Sequence, residues 1–149
     1  MKASSYLAGF LNHSLRMIFD DVKFIMASSS TEIYEQTISI GKGDVMIAIS
    51  FPRYSKKVVN TVAFAKNSGA GVIALTDSEA SPIAAHADQT LYARSDMASF
   101  ADSLVAPLSV INALVVGISL HRRDELATPF KRLEGIWNAH SVYINKEHE

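Results

Sequence analysis

The sequence predicts an α/β fold, a three-layer αβα sandwich in which helices cover both faces of a parallel sheet. Three observations predict it. Val45-Met46-Ile47-Ala48-Ile49 and Gly71-Val72-Ile73-Ala74-Leu75 are near-continuous apolar runs, the composition of strands buried on both faces. Segments with apolar residues at three-to-four spacing alternate with these runs. Gly41, Gly43 and Gly69 punctuate the junctions. Strands alternating with helices build a parallel sheet with helices on both sides.

Taken in order, residues 4–18 read as a helix, with Leu7, Phe10, Leu11, Leu15 and Ile18 on one side. Residues 22–26 read as a short strand. Ser30 is placed to cap a helix running to about Ile40, with Ile33, Thr37 and Ile40 on one face. The first buried strand, 45–49, is followed by a helix over 55–67 with Val58, Val59, Val62, Ala63 and Ala65 inward, and Gly69 as its stop. After the second buried strand, Ser81-Pro82 reads as a helix start, with Ser as the cap and Pro at the first helical position. Residues 90–93 suit a shorter strand. Two helices close the chain, one over about 98–121 with a bend at Pro107, the other over about 128–139.

The 149 residues fit a single domain spanning 1–149. Hydrophobic residues make up 48% and charged residues 19%, enough apolar material for a sizeable core and too little charge for disorder. The net charge of −1 lacks the basic excess of a nucleic-acid binder, so no DNA or RNA partner is expected for this chain alone. The chain has no cysteine, which excludes disulfides, thiol catalysis and thiolate metal sites, and is compatible with a reducing compartment. The apolar stretch at 6–11 breaks at Asn12 and His13, unlike a signal peptide. The most apolar stretch, 104–120, contains Pro107, Ser109, Asn112, Gly117 and Ser119 and falls short of the ~20 residues of a membrane span. It reads as a core or interface helix. A cytoplasmic protein is expected. The helix is more apolar than a one-sided surface helix requires, so a homodimer burying its second face is expected too. Trp137 and Tyr143 are either anchors of such an interface or internal packing residues.

Ligands of parallel α/β sheets bind beyond the carboxyl ends of the strands. That directs attention to three loops. Ser50-Phe51-Pro52-Arg53-Tyr54-Ser55 joins a buried strand to a helix N-terminus, where free N–H groups and the helix dipole favour an anion. Ser50 and Ser55 add hydroxyls, and Arg53 adds a permanently charged planar fork suited to phosphate. Ser55 serves as helix cap, ligand contact or both. Lys56 and Lys57 oppose the dipole and are expected in solvent, and Tyr54 is expected to pack. In the second loop, Thr76-Asp77-Ser78, Thr76 either donates to a ligand or does ordinary turn chemistry, while Ser81 is expected to cap. In the third, Ser4 or Ser5 caps the first helix or meets an anion there.

Signs of catalysis are weak. His13, His86, His121, His140 and His148 are scattered without metal-ligand spacing, so neither a metal nor another cofactor is expected. There is no GxxxxGK[ST] loop and no nucleophile elbow. Glu32 and Glu35 suit the dipole of a first helical turn better than a general base, and His86 suits a helix surface. No catalytic residue is assigned.

The loop residues carry a family resemblance. Asp44 to Ser55 resembles the central motif of SIS (sugar isomerase) domains, a strand followed by S-x-S-G-x-[ST]. Gly69-Ala70-Gly71-Val72-Ile73-Ala74-Leu75-Thr76-Asp77, then Ser81-Pro82-Ile83-Ala84 and Ala87-Asp88, resemble the family's next block without gaps. Ser-Phe-Pro-Arg-Tyr-Ser is closest to RpiR-type transcriptional regulators, in which a helix-turn-helix domain precedes an SIS domain that senses a phosphosugar. The resemblance implies a flavodoxin-like sheet, a homodimer and a sugar phosphate ligand. It puts Ser50 and Ser55 at phosphate-contacting positions and Ser4 at the end of the family's first glycine-rich loop. Pro52 stands where the family usually has Ser, and Arg53 where it has Gly. Only Met1, Lys2 and Ala3 precede Ser4, so the family's first strand is expected to be missing, leaving a fragment, a rearranged sheet or cover from another chain. The effector-sensing domain of an RpiR-type regulator is the leading expectation. A vestigial dimerisation module and, less favoured, a phosphosugar isomerase are the alternatives.

Overall fold

The computed structural model describes residues 3–26, 29–94 and 103–143. Strands β1 (Val45–Ile49), β2 (Gly71–Thr76) and β3 (Gln89–Tyr92) form a parallel sheet in that order. Ile49 pairs with Leu75 and Thr76 with Tyr92, so the three carboxyl ends lie along one edge.

Side chains alternate across this sheet. Ala48 and Ala74 point to one face, where Val62 and Ala65 of helix α3 (Lys56–Asn67) pack with Ala70, Val72 and Ile83. Ile49 and Leu75 point to the other, where they meet Leu7, Leu11 and Leu15 of α1 (Ala3–Arg16) and Ile111 of α4 (Val105–His121). The result is the expected helix–sheet–helix sandwich. Leu7 and Ile111 are fully buried, the kind of site where truncation to Ala costs about 2–5 kcal/mol. Helix α2 (Ser30–Thr37) packs on α3 through an edge-to-face pair, Tyr34 and Phe64, with ring centres 5.4 Å apart. Helix α5 (Arg123–Ala139) departs from α4 at 99°. Arg122 fixes that corner, donating to the Ile18 carbonyl at 3.2 Å, pairing with Glu125 and lying over the Phe19 ring.

The end of α3 follows its sequence. Gly69 takes φ +88°, its N–H reaches the Lys66 carbonyl, and the Ala70 N–H reaches the Ala65 carbonyl. A side chain at Gly69 would be strained there.

Several expected elements differ. Residues 22–26 form no strand: among the described residues β1 pairs with β2 alone, and an extended segment without a ladder partner is not a strand. Instead Val22 packs into the α1–α4 core and Phe24 lies against Gly9 of α1. The cap of α2 is Ser29, whose Oγ accepts from the Glu32 N–H at 3.1 Å, and the helix ends at Thr37. Thr37 is buried with its hydroxyl on the Ile33 carbonyl, and Ile40, beyond the helix end, still packs on the α3 side of the sheet. Ser81-Pro82 opens no α-helix, only tight turns and one 3-10 turn (Ala84–His86). Helix α4 begins at Val105, which puts Pro107 in its first turn, where a missing N–H breaks nothing and no bend arises. The part of that expected helix over 98–102 lies outside the described residues. Helix α5 begins at Arg123, five residues before the expected start, with Asp124 and Glu125 in the first turn to suit the dipole.

Candidate ligand-binding site

Two loops leave the carboxyl edge side by side. The Ser50 N–H extends the ladder by donating to the Leu75 carbonyl at 3.1 Å, and Ser50 is buried. The chain then runs through half-buried Phe51 and exposed Pro52 and Arg53 to Tyr54 and Ser55. Phe51 packs against the α1–α4 core. Arg53 has φ +62°, the left-handed region that favours glycine. Glycine is the residue the SIS motif usually has there, so the guanidinium is presented at a backbone cost of order 1 kcal/mol. Ser55 is the N-cap of α3 with extended backbone, yet its hydroxyl makes no capping bond. The α3 N-terminus therefore keeps N–H groups that the cap hydroxyl does not take up, with Arg53 two residues away.

The second loop is rooted in the core. Thr76 is fully buried and Ser81 nearly so. The Thr76 hydroxyl lies 2.7 Å from the Ser50 carbonyl and 2.7 Å from Ser81 Oγ. A carbonyl only accepts, so the single Thr76 proton goes to Ser50 and Ser81 donates to Thr76. This chain of bonds locks the end of β2 to the start of the first loop. Asp77 Oδ1 sits 3.1 Å from Thr76 Oγ1 and accepts from the Tyr54 hydroxyl at 2.8 Å. Burial and then the Asp77 hydrogen bond and charge push the Tyr54 phenol above its ordinary pKa, against a smaller pull from the Ser78 and Ser81 hydroxyls. The phenol is thus a firm proton donor at neutral pH.

The structure brings Ser50 and Thr76 into direct hydrogen-bond contact and sets Arg53 and Ser55 on the loop between β1 and α3. Ser4 lies in the first turn of α1, a helix that packs against β1. Thr76 braces the Ser50 carbonyl from beneath. Ser81, expected as a cap, spends its hydroxyl on Thr76. Tyr54, expected only to pack, bonds Asp77 across 23 residues of sequence, and neither residue was singled out as a site residue. A Tyr and an Asp separated by a helix and a strand carry no signal of their own. Among the described residues, no group of three His, Cys, Asp or Glu is arranged to hold a metal ion.

At the far end of β2, the Asp88 carboxylate pairs with Lys66 of α3 and accepts from the Val72 N–H at 2.8 Å. The Lys66 hydrogen bond, then the Val72 N–H, hold its pKa below the usual carboxylate range.

Comparison with known proteins identifies the family and the fold. The family model for the SIS domain matches residues 5–117. An HTH-type transcriptional regulator of Caldanaerobacter subterraneus is 32% identical over 93 residues, which cover 60% of this chain and 33% of the relative. The chain thus spans about a third of the length of that curated relative. Among solved structures, the sugar isomerase domain of an RpiR transcription factor from Sphaerobacter thermophilus superposes with a TM-score of 0.75 at 27% identity, covering 87% of this chain and 72% of that one. The Vibrio vulnificus NanR protein, complexed with ManNAc-6P, gives 0.74 at 20% identity over 97% of this chain and 55% of that one, a likeness of fold.

Proposed function

This chain belongs to the SIS domain family, and on that premise we propose that it is the sugar-phosphate-binding, effector-sensing domain of an RpiR-type transcriptional regulator. The observation that carries the proposal is Ser55, an N-cap whose hydroxyl is left unspent at a helix N-terminus beside Arg53. A phosphate there accepts from Ser55, from the first N–H groups of α3 and from the guanidinium. Ser50 and Ser4 supply further hydroxyls, and Thr76 holds the Ser50 carbonyl that shapes the loop. Two of the proteins named above are transcriptional regulators, and the third, NanR, which shares the fold, is complexed with ManNAc-6P.

The domain senses its ligand without turning it over, a reading supported by its similarity to transcriptional regulators. Its net charge of −1 gives no basic face for operator DNA, so it does not hold DNA by itself. Among the described residues no single helix is long and apolar enough to cross a membrane, and a phosphorylated sugar effector belongs in the cytoplasm. The domain works as a homodimer through α4, whose Val105, Val116 and Leu120 are exposed at 74%, 56% and 66% while its other face is in the core. Ligand then acts by favouring one dimer arrangement over another.

A second reading, an interaction module with a vestigial site, is favoured by Pro52, which removes one backbone N–H from the loop. A thermal-shift panel of sugar phosphates separates the two. One sugar phosphate is expected to raise the melting temperature in a concentration-dependent way, and Arg53→Ala and Ser55→Ala are expected to lose that shift. A folded protein that responds to none of the panel supports the vestigial reading.

A further inference from the structure

Three parts of the anion-facing loop differ in how they are held. Its entry is fixed at Ser50 by the β2 ladder and the Thr76 hydroxyl. Its exit is fixed at Ser55 by the start of α3. Between them Arg53 occupies a left-handed conformation that a residue with a side chain does not adopt unless its neighbours impose it. The neighbour placed to impose it is Tyr54. Its hydroxyl reaches Asp77 Oδ1 at 2.8 Å and so ties the loop after β1 to the loop after β2. Asp77 follows the end of β2 directly, and its other oxygen lies 3.4 Å from Ser78 Oγ.

An acidic residue beside an anion site is unfavourable for the anion. Asp77 is therefore hard to explain as a ligand contact for phosphate and easy to explain as an acceptor, since an ionised acceptor makes the stronger bond to a phenol. We infer that Tyr54 and Asp77 form a cross-loop tie that presets residues 51–55 for the anion, with Tyr54 as a positioning residue that acts through Arg53 and Ser55. The inference rests on the sugar phosphate reading for its effect on affinity and on the free protein for the tie itself. An untied loop has to be ordered by the ligand, and that ordering is taken from the binding energy.

The test uses Tyr54→Phe, Asp77→Ala and Asp77→Asn, read two ways. Amide hydrogen exchange of the free proteins reports the order of residues 51, 53, 54 and 55, with β2 as the internal control. Calorimetric titration reports affinity for the most stabilising member of a panel of hexose and pentose phosphates, with inorganic phosphate as a second probe. Tyr54→Phe keeps the ring and loses the donor. Loop amides are expected to exchange faster while β2 amides do not, and affinity is expected to fall about tenfold, the equivalent of ~1.4 kcal/mol. Asp77→Ala is expected to match it in loop exchange and to lose less affinity, because it also removes a charge that disfavours the anion. Asp77→Asn keeps an acceptor and is expected to retain slow exchange and to bind within about threefold of the parent, because the lost charge favours the anion as the weaker bond disfavours it. A rescue by Asn is not the outcome of mere damage at position 77. Unchanged loop exchange in Tyr54→Phe, or faster exchange with no loss of affinity, overturns the inference. If the parent protein binds none of the panel, the sugar phosphate reading fails, and exchange in Tyr54→Phe still decides whether the tie orders the loop.

Discussion

The loops that follow β1 and β2 lie side by side at one edge of the sheet and are built in opposite ways. The loop after β2 begins and ends in the core: Thr76 is 0% exposed, Ser81 2% and Ile83 0%, and the Thr76 and Ser81 hydroxyls are spent on internal partners. The loop after β1 leaves the core at once. It exposes Pro52 and Arg53, holds Arg53 at positive φ and ends on a cap residue that caps nothing. The loop after β2 turns its hydroxyls inward, whereas the loop after β1 commits Tyr54 to Asp77 and leaves the Ser55 hydroxyl without a capping bond. The difference separates platform from receiver, the arrangement expected where a rigid scaffold positions a binding loop.

The comparison is sharpest at Thr76. Thr76→Val keeps the shape but removes the hydroxyl, leaving the buried Ser50 carbonyl and the Ser81 hydroxyl without their partner. The expected cost is about 1–3 kcal/mol of unfolding free energy, measured by urea denaturation. A cost below a few tenths would mean that the platform does not depend on this network.

A smaller effect separates two serines of the same structural class. Ser29 caps α2 with a real bond to the Glu32 N–H, and Ser29→Ala is expected to cost about 1 kcal/mol. Ser55 caps α3 in position only, so Ser55→Ala is expected to cost well under ~0.5 kcal/mol in the absence of ligand. Equal losses in the two variants would break the distinction between a structural and a reserved hydroxyl.

The smallest expected effect lies at the opposite end of β2, where Asp88 joins Lys66 to the Val72 N–H. Its pKa is depressed in the folded state, so its contribution is present above the unfolded carboxylate pKa and is lost as pH falls through the folded one. The stability difference between the parent and Asp88→Asn is expected to stay level from neutral pH downward and to close only in the acid range below the usual carboxylate pKa. A difference that closes near neutrality would assign the effect to another group. The pair is solvent-exposed, and the contribution is correspondingly modest.

Much of this was legible in the sequence because it is local. The buried strands declare themselves in unbroken apolar runs, α1 and α3 in their three-to-four spacing, and the stop of α3 in Gly69. The loop from Ser50 to Ser55 was legible as a candidate site because a strand followed by a helix start places free N–H groups in the open. What was illegible depends on partners distant in the chain. Residues 22–26 have strand composition, but whether a ladder forms depends on a neighbouring strand that their own residues do not specify. Ser81 looks like a cap because Pro follows it, whereas its hydroxyl is claimed by Thr76, five residues back and buried. Tyr54 and Asp77 meet only because β1 and β2 are adjacent and parallel, which aligns two loops 23 residues apart. Ser29 and Ser30 are equally good caps by type, and backbone conformation alone selects Ser29.

The most direct test of the central claim is a calorimetric titration of the protein and of Ser55→Ala with the sugar phosphate that most raises the melting temperature. Saturable binding to the parent is expected, with a dissociation constant at least about tenfold weaker in Ser55→Ala (a loss of ~1.4 kcal/mol) and unfolding curves without ligand that superimpose. Equal affinities in the two proteins would contradict the claim, because the hydroxyl left unspent at the start of α3 would then have no part in holding a phosphate.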